Sequence, residues 1–320
     1  MSKNYFFVHI PKTAGTSFRN ALQRNERVHL LADYGKDNPA TSPELGCLEP
    51  EQLTPESKVF KADKFNFICG HVDYERYAHC VSPESVVSIV RNPVERIVSE
   101  YQHLKRLYGL RIGFHKFISS LAQQNKQLNY LKGLEPGCGP LIGLTSHYGY
   151  FVEVFSRQSG LPMESIEENR APVSDVEDRF NISPEEIKAA FFYNKKDIHF
   201  FFRCVRVFAG LVHKMGYNTQ PTKGTQWNCR IDGRRRVAGW VSRRERDCYF
   251  IVIKVNDERR VVISLDQNRK DILEKGLTEN PVCGFSYPLS LLGAESGDEI
   301  SVGILGAPAF KRTLKLETEN

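Results

Sequence analysis

Apolar residues fall into two textures along this chain. Early on, short unbroken apolar runs are each followed by a polar turn and then by helical spacing. The run Tyr5–Ile10 stops at Pro11, the small-residue turn Thr13-Ala14-Gly15-Thr16-Ser17 follows, and Phe18, Ala21 and Leu22 then recur at i, i+3 and i+4. That order predicts a buried strand, a tight loop and an amphipathic helix. Phe65–Cys69 and Val86–Val90 read as two further buried parallel strands. The first is followed by Gly70-His71 and the second by Arg91-Asn92. Asn92 is placed to cap a helix that has Pro93 as its first residue and Ile97, Tyr101, Leu104 and Tyr108 along one face. Residues 33–57 carry the Pro, Asp, Asn, Ser and Gly of a loop, and residues 109–217 are expected to be mostly helical. The clearest start in that stretch is Ser183-Pro184-Glu185-Glu186, a capping box ahead of Ile187, Ala190 and Phe191.

At residues 218–226 the texture turns polar. Beyond it, short strand-like runs alternate with turn signals: Trp227–Ile231, Val237–Ser242, Tyr249–Val255, Val261–Leu265 and Ile300–Leu305, with turns at Asp232-Gly233 and Asn256-Asp257 and a short helix near Arg269–Lys275. The expectation is an α/β domain over residues 1–220, with a parallel sheet and flanking helices, followed by a small all-β, sandwich-like domain over 226–320.

Composition narrows this picture. The 320 residues are 41% hydrophobic and 26% charged, which excludes disorder, collagen and coiled coil as descriptions of the whole chain. Up to residue 220 there are 27 basic and 24 acidic residues, and beyond it 17 and 14. Each part therefore carries +3, a mild excess that points to local anion sites rather than to nucleic acid. The eight cysteines are scattered without C-x-x-C or zinc-type spacing, so a reduced, cytoplasmic chain without a metal site is expected. The early apolar run is too short for a signal-peptide core, and no stretch has the length of a membrane span.

Two elements carry candidate chemistry. Pro11-Lys12-Thr13-Ala14-Gly15-Thr16-Ser17 sits at a strand-to-helix junction, where unpaired backbone N–H groups and the helix dipole favour a phosphate. Its lysine precedes the glycine, unlike a Walker A loop. In Val90-Arg91-Asn92-Pro93-Val94-Glu95-Arg96-Ile97-Val98-Ser99-Glu100-Tyr101, Arg91 lies at the carboxyl end of a strand and Ser99 two turns into the next helix.

Together these elements resemble the phosphosulfate-binding motifs of sulfotransferases that use 3′-phosphoadenosine 5′-phosphosulfate (PAPS). The match is closest to the branch containing heparan-sulfate 2-O-sulfotransferases and related bacterial enzymes. The resemblance runs over roughly residues 4–217, with Cys69-Gly70-His71-Val72 and Asp197-Ile198 adding to it. It implies a P-loop-kinase-like fold and transfer of a sulfuryl group to a hydroxyl of a carbohydrate or glycolipid, leaving adenosine 3′,5′-bisphosphate, with no metal required. By position, it implies that Lys12 contacts the phosphosulfate and its bridging oxygen. Thr13, Gly15, Thr16 and Ser17 would cradle the 5′-phosphate, Arg91 and Ser99 would hold the 3′-phosphate, and His71 would be the catalytic base. Animal relatives carry membrane anchors, so a bacterial, cytoplasmic enzyme is the corresponding expectation here.

Other residues read more plainly. His9 is expected to be structural, His103 a packing or solvent residue, and Glu95 and Arg96 helix-surface charges. The Arg234-Arg235-Arg236 and Arg243-Arg244 clusters could attract an anionic polymer, but with Asp232, Glu245 and Asp247 diluting the charge they read more plainly as a solvated turn and a strand end. Gly239-Trp240, Arg269-Lys270-Asp271 and Gly284-Phe285 give the last domain a loose similarity to β-rich modules appended to bacterial glycan-modifying enzymes. Two rival functions are a magnesium- and ATP-dependent phosphoryl-transfer enzyme and an inactive glycan-binding protein. The acceptor loops are expected within 33–57 and 109–150, and neither the acceptor nor the oligomeric state is readable.

Overall fold

A computed structural model describes residues 3–164 and 182–317. In chain order its elements are β1 (Lys3–Val8), α1 (Gly15–Gln23), β2 (Val28–Asp33), α2 (Pro43–Gly46), β3 (Phe65–Gly70), β4 (Val86–Val90), α3 (Pro93–Tyr108), α4 (Phe114–Ser119), α5 (Lys126–Tyr130), β5 (Leu141–Leu144), α6 (Tyr148–Ser159), α7 (Pro184–Tyr193) and α8 (Lys195–Lys214). There follow β6 (Trp227–Ile231), β7 (Arg236–Val241), β8 (Ile251–Val255), β9 (Arg259–Ile263), β10 (Gln267–Asn268), α9 (Lys270–Glu274), β11 (Val282–Pro288), β12 (Glu299–Ile304) and β13 (Ala307–Lys315).

Strands β1 to β5 form one sheet in the order β2-β3-β1-β4-β5, every neighbouring pair parallel. The chain leaves β1, returns through β2 and β3 on one side, and crosses to β4 and β5 on the other. The carboxyl ends of β1, β3 and β4 thus border a topological switch point, where open α/β sheets bind ligands. The sheet is held by apolar side chains on both faces, as parallel strands require. Phe6, Phe7 and Val8 of β1 are buried, and Phe18 of α1 meets Phe7, Phe151 and Phe155 edge-on at 4.9, 5.0 and 5.3 Å between ring centres. Ser88 is the polar exception in β4, and its hydroxyl donates to the Val8 carbonyl at 2.9 Å.

The α/β fold class is as the sequence predicts, with two strands added. β2 carries a histidine and an aspartate in a six-residue run, and β5 is only Leu-Ile-Gly-Leu. The expectation of helix across 109–217 therefore fails at β5. Gly143 there has no side chain because a Cβ would lie 2.2 Å from a Phe151 ring carbon. Residues 165–181 of that expectation lie outside the described residues.

The described residues gather into two compact units that do not follow chain order. Residues 3–100, 122–164 and 195–208 form one, and 101–121, 182–194 and 209–317 the other. In the second unit Tyr101 packs on Phe114 and Phe117, and the Ser183 capping box is complete, with Ser183 Oγ accepting from Glu186 N and Glu186 Oε2 accepting from Ser183 N. Its all-β region consists of two four-stranded antiparallel sheets, ordered β10-β11-β7-β6 and β13-β12-β8-β9. The Asn256-Asp257 turn between β8 and β9 has φ of 49° and 55°, the left-handed pair of a tight hairpin. β10, β11 and β13 are additions to the sequence reading. β13 is an edge strand whose mostly exposed residues carry no alternation, and its pairing to β12 is what makes it a strand.

Candidate active site

β1 hands the chain to His9, Ile10 and the loop that opens α1. Within that loop Lys12 and Ala14 both have φ of 68°, left-handed conformations that cost a non-glycine residue about 1–3 kcal/mol each. Ala14 is the N-cap and supplies no side-chain acceptor, so the first N–H groups of α1 have no side-chain cap. Lys12 is half-buried, Thr16 is exposed, and Gly15 and Ser17 are buried. Thr13 is pinned: its hydroxyl donates to the Ile10 carbonyl at 2.9 Å, and its own carbonyl accepts from Thr145 Oγ1 at 3.0 Å. The Thr13 hydroxyl proton is therefore spent on the loop itself.

Gly15 owes its identity to His9. A Cβ at Gly15 would lie 2.1 Å from His9 Cδ2, so the helix can start here only because this residue has no side chain. His9 is buried, and its ring lies 4.3 Å from that of His71, which follows the end of β3. The His71 Nδ1–H donates to the His9 backbone carbonyl at 2.6 Å. A carbonyl only accepts, so Nδ1 carries the proton and Nε2 of neutral His71 is left with its lone pair.

Further groups close around this pair. The Tyr34 hydroxyl, just past β2, lies 3.3 Å from His9 Nδ1 and accepts from Arg19 Nη1 at 3.2 Å. The Tyr34 ring is edge-on to His71 at 5.0 Å. Burial pushes the His71 pKa below its ordinary value; the Lys126 and Arg19 charges add to this, against the upward pull of the His9 carbonyl and Glu100. His9 is held well below its ordinary value by burial, then by the charges of His71 and Arg19. Cys69 beside them is a neutral thiol, pushed up to about 12 by burial.

The segment after His71 is fixed from β2. The buried Asp33 carboxylate accepts from Arg76 Nε at 2.7 Å and Tyr77 OH at 2.6 Å. Burial opposes its charge, but those hydrogen bonds and the Gly35 N–H keep its pKa below the usual range. Gly70 is required by the same junction, because a Cβ would stand 1.7 Å from the Asp33 carbonyl oxygen.

At the end of β4, Arg91 pairs with Glu95 at 3.0 Å, and Asn92 caps α3 by accepting from Val94 N at 3.0 Å and Glu95 N at 3.3 Å. Glu95 and Ser99 are one turn apart on one face of α3. The Arg91 backbone is clamped by the buried Gln127 amide, whose Oε1 accepts from Arg91 N at 2.8 Å and whose Nε2 donates to Arg91 O at 2.9 Å. Asp197, itself buried, accepts from Gln127 N and Leu128 N at 3.2 and 2.6 Å. Arg96 corrects the sequence reading: it is wholly buried, paired with Glu100, and Glu100 accepts from Lys126 Nζ at 2.6 Å. Among the described residues its Nε and Nη2 have no hydrogen-bond partner.

A family model covers the stretch of chain that carries most of these residues. The model for the sulfotransferase family matches residues 2–177, more than half of the chain. The chain belongs to the sulfotransferase family. Among curated relatives, this sulfotransferase is 28% identical to heparan-sulfate 6-O-sulfotransferase 1 of Cricetulus griseus over 116 residues, covering 31% of this chain and 27% of that protein. With heparan-sulfate 6-O-sulfotransferase 3-B of Danio rerio it shares 30% over 114 residues, covering 31% and 26%. The chain thus spans about a quarter of the length of the curated relatives it matches. These are 6-O enzymes, whereas the sequence motifs resemble the 2-O branch; membership of the family rests on the model over residues 2–177. Among solved structures, a sulfotransferase from Alicyclobacillus acidocaldarius aligns with a TM-score of 0.38 at 12% identity, covering 65% of this chain and 96% of that one. Mouse sulfotransferase SULT7A1 complexed with PAP aligns with a TM-score of 0.32 at 15% identity, covering 58% and 67%.

Sequence reasoning missed Arg19, Tyr34, Lys126 and Gln127. Arg19 stands one helical turn after Gly15, a spacing that carries it toward the same junction. Gln127 had no local signal, because its role is set by an element 36 residues from Arg91.

Proposed function

We propose that this sulfotransferase moves a sulfuryl group from PAPS to a hydroxyl of a carbohydrate or glycolipid acceptor, with residues 1–220 as the transferase domain and 226–320 as an accessory domain. The observation that carries the reading is the His71 tautomer: with Nδ1–H committed to the His9 carbonyl, Nε2 is the free basic nitrogen.

The left-handed turn at Lys12 and Ala14, the N–H groups of α1 that no side chain caps, and Arg91 at the end of β4 supply positive character of the kind two phosphate-bearing ends need. PAPS, when bound, supplies the sulfuryl group and leaves as adenosine 3′,5′-bisphosphate. Lys12, Gly15, Thr16 and Ser17, with the Thr13 backbone N–H, hold the 5′ end, and Arg91 with Ser99 holds the 3′-phosphate. His71 Nε2 takes the acceptor hydroxyl's proton, a contribution of roughly 10²–10⁴-fold for a general base. Lys12 offsets charge on the departing phosphate.

The test is incubation of the protein and PAPS with a panel of polysaccharide, oligosaccharide and glycolipid acceptors, read by mass spectrometry. A gain of one sulfuryl group on a sugar hydroxyl is expected. Thermal stabilisation by ATP–Mg and not by adenosine 3′,5′-bisphosphate would instead support a phosphoryl-transfer enzyme. Glycan binding without any turnover of PAPS would establish a binding protein.

A further inference from the structure

The β6–β7–β11 sheet has one face the transferase reading does not use. Val237 and Val241 of β7, Cys229 of β6, and Cys283, Phe285 and Tyr287 of β11 are buried on one side. Gly239 is on that side too, since a Cβ there would lie 2.6 Å from the Phe285 ring. Alternation puts Trp240 and Arg236 on the opposite face. Register completes the row: Asn228 and Gly284 stand directly opposite Trp240 on its two neighbouring strands, and Arg230 stands opposite Ala238.

This face is cationic around one aromatic side chain. Trp240 is partly exposed, and its indole N–H has no acceptor among the described residues. On one flank Arg312 Nη1 donates to Asn228 Oδ1 at 2.6 Å. On the other, Gly284 leaves room for the Arg269 stem, and the Arg269 guanidinium is held by both Asp271 oxygens at 2.7 and 2.6 Å. Arg230 is exposed and makes neither an ion pair nor a hydrogen bond among the described residues, and no carboxylate belongs to the strand residues of this face.

We propose that the Trp240 face is a binding site for an anionic polysaccharide, with the indole against the apolar C–H side of a sugar ring and Arg230, Arg236 and Arg312 receiving its carboxylate or sulfate groups. The aromatic surface suits an amphipathic ring, and guanidinium forks match planar or tetrahedral oxyanions better than ammonium groups do. Arg236 is four residues from Trp240 along β7, roughly 13 Å at 3.3 Å per residue, so a chain of sugars and not one sugar covers the face. A nucleic acid strand fits less well, because stacking of successive bases needs a series of aromatics and this face has one. The choice of a sugar ligand rests on the carbohydrate-sulfotransferase reading, but none of the residues of this face belongs to the proposed transfer site.

The chain has two tryptophans, so in a Trp227→Phe protein Trp240 is the sole indole reporter. Titration of that full-length protein with a heparin-derived octasaccharide, without PAPS, is expected to give a saturable change in Trp240 emission. Arg230→Glu in the same background should weaken it at least tenfold. No emission change, unaltered affinity in both Arg230→Glu and Arg236→Glu, or tighter response to single-stranded DNA than to the octasaccharide overturns the proposal. Because the titration needs no turnover, loss of sulfuryl transfer alone leaves this result standing, and a failed titration leaves the transferase reading standing.

Discussion

His71 and His9 are joined twice: the His71 Nδ1–H donates to the His9 carbonyl at 2.6 Å, and the two rings lie 4.3 Å apart. The hydrogen bond fixes which nitrogen is free, and the ring contact holds the two imidazoles side by side. Because desolvation and the Lys126 and Arg19 charges hold the His71 pKa down, its imidazole is neutral at neutral pH, as the proposed role of base requires. The acid limb of the kcat/KM profile should therefore lie below the ordinary imidazole value of about 6.5. Removing the Lys126 charge with Lys126→Met should move that limb to higher pH, since a nearby cation disfavours imidazolium. A limb that stays in place or moves to lower pH contradicts this account.

His9 makes stability depend on pH. Its folded pKa is depressed, so the unfolded chain binds more protons as pH falls below about 6.5. The stability it contributes is complete above that value and is lost as pH falls toward its folded pKa. The melting temperature should be lower at pH 5 than at pH 7.5, and His9→Phe should narrow the difference. Glu100 and Asp33, also depressed, act at lower pH and do not account for this window.

Gly15→Ala tests the packing of the same junction. The added Cβ has 2.1 Å to His9 Cδ2, so the imidazole must shift or α1 must start differently. Overpacking of this kind costs about 1–3 kcal/mol, read as a lower urea midpoint. Sulfuryl transfer should fall with it, because the displaced residue is the one that orients His71.

Much of this junction was legible in the sequence, and the reason is local. The Pro11–Ser17 loop, Gly70-His71 and Arg91-Asn92 each follow an apolar run directly, so strand end and candidate residue are read together. The Asn92 cap and the Ser183 capping box are likewise contained within a few residues. What stayed hidden is what distant elements supply. Gly15 reads as a site for close approach of a phosphate, whereas its missing Cβ makes room for His9. Arg96 has helix-surface spacing only until the burial around Glu100 and Lys126 is known. β13 has no hydrophobic period because an edge strand half exposed on both faces needs none.

The buried pair on α3 gives a stability prediction. Arg96 has Glu100 as its ion-pair partner among the described residues, so Glu100→Ala leaves the buried guanidinium without that partner. Such a loss costs about 3–5 kcal/mol, measurable by urea denaturation. Arg96→Met, which removes the charge and keeps the volume, should cost clearly less.

Gln127→Ala should act at Arg91, the proposed 3′-phosphate ligand, without touching His71. It removes both hydrogen bonds that hold the Arg91 backbone and leaves those groups buried, a loss of about 1–3 kcal/mol. Affinity for adenosine 3′,5′-bisphosphate, measured by calorimetry, should drop several-fold, while the position of the His71 acid limb stays where it is.

The most direct test of the central claim is transfer of radiolabelled sulfuryl from PAPS to a carbohydrate acceptor by the wild-type, Lys12→Ala and His71→Ala proteins. Robust transfer by the wild type, with a loss of roughly 10²-fold or more in each variant, is the predicted result. Undiminished turnover by both variants would contradict it.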